Sequence, residues 1–245
     1  MKVLIIIPTY NEIESLPRQV DGVRSIAPDA DIVVVDDGSP DGTGEWADAR
    51  AAQDEQVFAI HRAAKQGLGA AYLAAFTWAL GRDYDVVVEM DADGSHRPQD
   101  LPGILARAAD YDLVIGSRWV PGGSVVNWPA HRKFLSTNAN RYVRLTLGVP
   151  IGDATAGFRS YRTGLLRQLE LERVESQGYC FQVDMAWRVL QAGGSVTEVP
   201  ITFVERDAGA SKMSGAIIRE ALVKVTWWGV QRLWGGRGRS HNDGN

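Results

Sequence analysis

Two aspartates one residue apart, Asp91 and Asp93, stand in the stretch VEMDADGSHRP at 88–98, directly after an apolar run at 86–88. In extended backbone, residues i and i+2 point the same way about 6.5–7 Å apart, so both carboxylates can address one ion, directly or through water and a phosphate oxygen. Like charges this close repel and call for a compensating cation. Mg²⁺ suits such a place because it takes one or two protein carboxylates and leaves its other positions to water and substrate phosphates. The spacing alone is equally met by an Asp93-Gly94 turn with Asp91 capping local amides.

Other polar clusters invite the same double reading. Asp36-Asp37-Gly38-Ser39 follows an apolar run at 32–35, and an acid there can hydrogen-bond a ribose or a base, although Asp-Gly is also a standard turn pair. Pro8-Thr9-Tyr10-Asn11-Glu12 follows the first run, 3–7. Farther on, Arg206 and Lys212 bracket a loop in ERDAGASK, where cations can close over a diphosphate and exclude water, or simply be solvated. Gly67-Leu68-Gly69 matches part of a dinucleotide fingerprint, but Tyr72 occupies the third glycine position. Of His61, His96, His131 and His241, only His96 adjoins an acidic cluster, and none forms a metal-binding pair, a Ser-His-Asp set or a Cys-His set.

The elements that must position these residues follow from the hydrophobic pattern. β-Branched runs at 3–7, 32–35, 57–60, 86–88 and 113–115 alternate with helical patterns near 13–26, 43–53, 68–80 and 99–108. This predicts an α/β chain with a mostly parallel central sheet flanked by helices. Ligands of such sheets bind outside the carboxyl ends of the strands, which gathers the clusters after the first, second and fourth runs at one crevice. After Gly116 a Gly- and Pro-punctuated loop, 118–132, is long enough to suggest function. Beyond it the pattern predicts a helix at 133–147, a short strand at 157–161, helices at 164–169 and 181–192, a last strand at 196–203 and a terminal helix at 215–234. A single domain over 1–234 and a disordered tail at 235–245 complete the expected layout.

Composition narrows the classes. The 245 residues are 45% hydrophobic and 23% charged, enough for a substantial core. A net charge of -4 and pI near 5.6 argue against nucleic acid as the main partner. The one cysteine, Cys180, reads as a small core residue in a reducing compartment. The opening MKVLIIIPTYNE reads as a strand, and no segment reaches the ~18–20 apolar residues of a spanning helix. The terminal segment AIIREALVKVTWWGVQRLWG mixes apolar residues with Arg219, Lys224 and Arg232, and Trp227, Trp228 and Trp234 suit a membrane interface. Packing on the sheet is its other reading, and the two can coexist.

Eight motifs stand in order: IIIPTYNE (5–12), VVVDDGSPDGT (33–43), MDADGSHRP (90–98), GSR (116–118), NWPAHRKFLS (127–136), DATAGFR (153–159), GYCFQVDM (178–185) and GASKM (209–213). In order and spacing they resemble those of the inverting GT-A glycosyltransferases, and within them the polyprenol (dolichol) phosphate mannosyltransferases, from about residue 2 to 234. The resemblance implies the GT-A fold and transfer of mannose from GDP-mannose to a polyprenyl phosphate. It implies that Pro8, Tyr10, Glu12, Val35 and Asp37 hold guanine and ribose. Asp91 and Asp93 would bind Mg²⁺ or Mn²⁺ on the diphosphate, with Ala92 and Ser95 lining the site. Many relatives carry Gln where Ser95 stands, a departure at a metal-site position.

The same resemblance assigns the diphosphate clamp to Arg206 and Lys212, the acceptor's phosphate to Arg118, Arg132 and Ser136, and sugar or acceptor positioning to Asp153, Gln182 and Asp184. It implies a chain at the cytoplasmic membrane surface, peripheral or held by an integral membrane partner protein. The nearest competing reading keeps the fold and uses UDP-glucose. A nucleotide-dependent oxidoreductase is disfavoured by the broken glycine pattern, and a non-catalytic subunit by the retention of Asp91, Asp93, Arg206 and Lys212. Asp93→Ala is expected to abolish transfer and Cys180→Ala to leave it nearly intact. Assaying both variants checks the assignment, and the reverse ranking would overturn it.

Overall fold

The computed structural model describes residues 1–176, 178–205 and 215–235. The expected sheet is present: β1 (Val3–Thr9), β2 (Asp31–Asp36), β3 (Val57–His61), β4 (Val86–Glu89), β5 (Leu113–Ser117) and β8 (Val196–Pro200), with β7 (Arg159–Arg162), lie in the order β3-β2-β1-β4-β7-β5-β8. Pairings are parallel except where β7 runs antiparallel between β4 and β5. The Val/Ile runs form the centre because a parallel sheet is covered on both faces and has no solvent side to accommodate polar residues. β1 is buried at every position.

Alternate strand residues face two separate cores. Ile6, Val33, Val35 and Val87 pack with Tyr72 and Phe76 of α3 (Leu68–Leu80), Val143 of α5 (Ala130–Leu147) and Phe181 of α7 (Gly178–Gln191). Ile5, Ile32, Val34 and Val88 pack with Val20 of α1 (Leu16–Ile26), Ala47 of α2 (Thr43–Ala51) and Ile104 of α4 (Leu101–Ala108). α6 (Thr163–Leu166) is a single turn after β7.

Helix starts differ from the sequence pattern in instructive ways. α1 begins at Leu16 and not near residue 13, because the Glu12 carbonyl accepts from Ser15 and Leu16 in a preceding turn and Pro17 suits the first helical turn. α7 begins at Gly178, three residues earlier than the pattern suggested, which brings Tyr179 into the helix's first turn.

The expected last strand, 196–203, is two strands. β8 pairs with β5, whereas β9 (Thr202–Val204) leaves the main sheet and pairs in parallel with β6 (Ser124–Val126), formed inside the loop at 118–132. The break falls at Pro200, which has no N–H for a ladder. Beyond it the Ile201 N–H reaches the Ser117 carbonyl and the Thr202 N–H reaches the Asp100 carboxylate.

α8 (Gly215–Gly235) packs on α5 and α7 and not on the sheet. Val225 is buried, and Tyr142 and Thr226 share a 2.6 Å hydroxyl contact. Leu222, Val223, Trp227 and Trp234 remain exposed. No helix among the described residues is long and apolar enough to cross a membrane. Of the residues expected to be disordered, 235–245, only Gly235 is described, closing α8; GASKM, Arg206 and Lys212 lie outside the described residues.

Gly123 lets the 118–132 loop fold back tightly: a Cβ there would lie 2.6 Å from the Ser117 carbonyl oxygen and 2.8 Å from the Arg118 carbonyl carbon and oxygen. These are main-chain atoms, so no side-chain rotation relieves the clash. Gly123→Ala is expected to destabilise by about 1–3 kcal/mol. Thermal unfolding checks this, at roughly 2–4 °C per kcal/mol for a chain of this size.

Candidate active site

The carboxyl ends of β1, β2, β4 and β5 open onto one crevice of about 350 Å³. Pro8, Tyr10 and Glu12 line it after β1, Asp37 after β2, and Asp91, Ala92, Asp93 and Ser95 after β4. Arg118, Arg132 and Gln182 complete the set of sequence-predicted residues found there.

The acidic turn after β4 is tightly determined. The Ser95 N–H donates to the Asp93 carboxylate at 3.0 Å, and the Tyr72 hydroxyl donates to the Asp91 carboxylate at 3.3 Å. Burial, and then the Asp91 charge, push the Tyr72 hydroxyl well above the ordinary phenol range. The Ser95 hydroxyl oxygen is buried without a hydrogen-bond partner among the described atoms. A buried polar atom in this state calls for an occupant such as an ion or water. No cluster of three or more His, Cys, Asp or Glu side chains that would form an all-protein metal cage occurs among the described residues. Two carboxylates and a hydroxyl are a donor set that fits a Mg²⁺ or Mn²⁺ completed by phosphate oxygens.

Behind this turn lies Glu89, fully buried, accepting from the Gln182 amide at 2.8 Å. Burial pushes its carboxyl up to about 8, against the opposing effects of Arg159 and Gln182 and with a contribution from Asp91. Arg159, directly opposite Glu89 in the β4·β7 ladder, donates to the carbonyls of Ala154, Ala156 and Gln182 and so fixes the DATAG turn to α7.

On the nucleotide side, Asp37 accepts from the Arg62 guanidinium, which also donates to Gln66. Burial raises the Asp37 carboxyl despite Arg62. Lys65 places its ammonium 4.0 Å from the centre of the Tyr10 ring and lines the crevice. Arg62 and Lys65 were missed by the sequence reading. They follow β3, so the strand-end rule that selected the other clusters also pointed to them.

The opposite wall is cationic. Arg118 is buried in a bidentate pair with Asp153, through Nε at 2.7 Å and Nη2 at 2.6 Å, and its own N–H donates to the same carboxylate at 3.0 Å. Burial opposes both charges, yet Asp153 holds the guanidinium above its usual range and Arg118 holds the carboxyl below its own. Asn140 of α5 and Thr155 add hydrogen bonds to the Asp153 carboxylate. Arg132 lies 4.1 Å from the Trp128 ring centre and pairs with Glu205.

A second, apolar groove of about 410 Å³ runs between α5, α7 and α8. Leu135, Ala139, Val143, Val183, Leu222 and Val225 furnish its apolar lining, and Ser136 opens into this groove and not into the crevice. Arg118, Arg132, Thr155 and Tyr179 belong to both cavities, so they form the wall where the two meet. Thr155 and Tyr179 were also missed, each standing inside a motif whose neighbours were chosen instead.

Three predicted residues are not brought to either cavity. Val35 is a buried strand residue of β2, paired with Pro8 across the sheet and facing the core. Asp153 is fully buried beneath Arg118. Asp184 points the other way, its carboxylate taken by the Ser176 hydroxyl and the Arg188 guanidinium.

The strand ends thus collect carboxylates on one side of the crevice and guanidiniums on the other. Residues 4–170 match Glycosyl transferase family 2, and the chain belongs to that family. It is 56% identical over 236 residues to the undecaprenyl-phosphate mannosyltransferase of Micrococcus luteus, covering 96% of this chain and 97% of that one. It is also 56% identical over 232 residues to the polyprenol monophosphomannose synthase of Mycolicibacterium smegmatis, covering 94% and 88%. The resemblance read from the motifs is thereby borne out. Among solved structures, glucosyl-3-phosphoglycerate synthase of Mycobacterium tuberculosis, in complex with Mn²⁺, UDP-glucose and phosphoglyceric acid, matches with a TM-score of 0.69 at 16% identity over 94% of this chain and 80% of that one, a likeness of fold.

Glu89 gives this site a pH signature. The folded chain keeps its proton up to about pH 8, whereas an unfolded glutamate releases it near 4.5. The folded state therefore binds more protons between those limits, and this group's contribution to stability falls as pH rises through the window. Glu89→Gln is expected to be more stable relative to wild type at about pH 8.5 than at about pH 5.5. Urea unfolding at both values checks this, and a variant that keeps the wild-type slope would exclude Glu89 as its source.

Proposed function

We propose that the chain transfers mannose from GDP-mannose to a polyprenyl monophosphate with inversion at C1, giving polyprenyl β-mannosyl phosphate and GDP. The observation that carries this reading is the junction of two unlike cavities at Arg118, Arg132, Thr155 and Tyr179. A polar crevice suits a nucleotide diphosphate, an apolar groove suits a prenyl chain, and cations at their boundary suit the acceptor's phosphate. The names of the two bacterial relatives support mannose as the sugar and a polyprenyl phosphate as the acceptor.

Pro8, Tyr10, Glu12 and Asp37 line the end of the crevice that would receive guanine and ribose. Val35, buried in the sheet and paired with strands on both sides, is given no contact with the nucleotide. Asp91, Asp93 and Ser95 would hold Mg²⁺ or Mn²⁺, which when bound neutralises the diphosphate and stabilises the charge of departing GDP. Arg206 and Lys212 are assigned to the same phosphates by the sequence resemblance.

The acceptor brings its own nucleophile. A phosphomonoester with a second pKa of about 6 is largely dianionic near neutral pH, so no strong base is needed. Arg118 and Arg132 would orient it, with Ser136 at the mouth of the groove. A phosphate oxygen attacks C1, the bond from C1 to the β-phosphate oxygen breaks, and GDP leaves with the electron pair. Asp153 acts through Arg118, and Gln182 borders the crevice beside the reacting sugar. Well-placed charges of this kind contribute about 3–4 kcal/mol each to transition-state stabilisation.

The outer faces of α5 and α8 support a location at a membrane surface, whose cytoplasmic side is assigned by the sequence resemblance alone. Phe134 and Leu145 on α5, and Val223, Trp227 and Trp234 on α8, are exposed near Lys133, Arg141, Arg144 and Arg219. Apolar and aromatic residues among cations favour an anionic lipid interface, and such a face could also meet an integral membrane partner.

Incubating the purified protein with GDP-[¹⁴C]mannose and a polyprenyl phosphate, with and without EDTA, tests the reading. A metal-dependent, mild-acid-labile glycolipid is the expected product. Product from UDP-glucose and none from GDP-mannose would retain the site and move the function to the other sugar.

A further inference from the structure

His96 is buried and lies inside the same turn as the two aspartates, yet no role in transfer falls to it so far. Its ring is stacked on Phe158 with centres 5.0 Å apart and meets the edge of Phe203 at 5.7 Å. Gly157 passes over the ring, where a Cβ would come within 3.3 Å of the His96 Cε1 atom. The ring therefore has one place to be. There, Nδ1 accepts the main-chain N–H of Asp91 at 2.9 Å. An N–H donor requires a lone pair on Nδ1, so in the neutral ring the proton sits on Nε2, 3.9 Å from the Asp91 carboxylate. The His96 carbonyl is held in turn by the Gln19 side-chain amide at 2.8 Å, which anchors the turn to α1.

We propose that His96 is a positioning residue for the metal site: it fixes the Asp91 main chain through Nδ1 and thereby sets the point from which the Asp91 carboxylate extends. The inference rests on the reading of Asp91 and Asp93 as the metal-holding pair. Without the Nδ1 acceptor, the Asp91 N–H loses its partner inside the turn and the carboxylate loses its fixed origin. Groups that orient metal ligands are worth about 10–100-fold in metal affinity.

Two substitutions separate this role from core packing. His96→Asn removes the ring but puts an acceptor oxygen where Nδ1 stood, because both atoms are two bonds from Cβ. His96→Phe keeps an aromatic ring between Phe158 and Phe203 and removes the acceptor. Mn²⁺ affinity is read by the electron paramagnetic resonance signal of free Mn²⁺, titrated into full-length protein with GDP and separately with UDP. His96→Phe is expected to weaken Mn²⁺ by about tenfold or more, and His96→Asn to stay within about threefold of wild type. In turnover, the loss in His96→Phe is expected in the Mn²⁺ concentration dependence, with kcat recovered at saturating metal.

If ring packing were the whole of the role, the ranking would reverse, with His96→Phe binding Mn²⁺ better than His96→Asn, and the inference would fall. Should His96→Phe not fold, as judged by circular dichroism, His96→Gln replaces it. That side chain carries its acceptor one bond too far, so it is expected to bind Mn²⁺ more weakly than His96→Asn, and equal affinities would also overturn the role. A wild-type protein that binds no Mn²⁺ with either nucleotide would instead overturn the assignment of Asp91 and Asp93, and this inference with it.

Discussion

The buried pair of Arg118 and Asp153 is the contact on which the arrangement of both cavities depends. Asp153 accepts from the Arg118 side chain and main chain, from Asn140 on α5 and from Thr155, while Glu198 on β8 accepts the N–H groups of Gly152 and Asp153. The Asp153 carboxylate thus ties the end of β5 and α5 to the turn before β7, and the Glu198 carboxylate ties that turn to the edge of the sheet. Taking two charges out of water costs several kcal/mol per ion, and removing one partner of such a pair typically costs about 3–5 kcal/mol. The pair is weak evidence for stability and strong evidence for position. It holds a guanidinium, with Trp128 and Phe203 beside it, at the boundary between a polar and an apolar space.

Across the crevice the electrostatics are of the opposite sign. Glu89 ends β4 and Asp91 and Asp93 follow it, and Arg159, opposite Glu89, gives its hydrogen bonds to carbonyl groups while its charge acts on the Glu89 carboxyl. Glu89 limits the charge accumulated there by holding its proton to higher pH than usual. On the other wall Arg118 and Arg132 are each held by a carboxylate, Asp153 and Glu205, and guanidiniums fixed in this way need little reorganisation when charge shifts across the site.

Much of this was legible in the residues. Uninterrupted β-branched runs can only be buried strands, and the strand-end rule gathered Tyr10, Asp37, Asp91 and Asp93 before any contact was known. What escaped notice depends on contacts between distant segments. Val35 lies next to a polar cluster in sequence but alternation turns it into the core, and Asp184 shares a helix with Gln182 but points to the other side. Tyr179 entered the site because α7 starts earlier than its apolar spacing suggested, and no local signal marks Thr155 as a wall between cavities. The division of 196–203 was signalled by Pro200, whereas the partner of β9, a short strand within a Gly-rich loop, had too few residues to show a period.

The shared wall at Arg118, Arg132, Thr155 and Tyr179 also separates two entrances. One cavity lies at the strand ends and the other between helices, so a water-borne molecule and an oily one can meet at the same few side chains, each in surroundings of its own kind. Neither has to be extracted into the other's medium. For such a molecule, the supply of one ligand is set by concentration in a volume and that of the other by density on a surface.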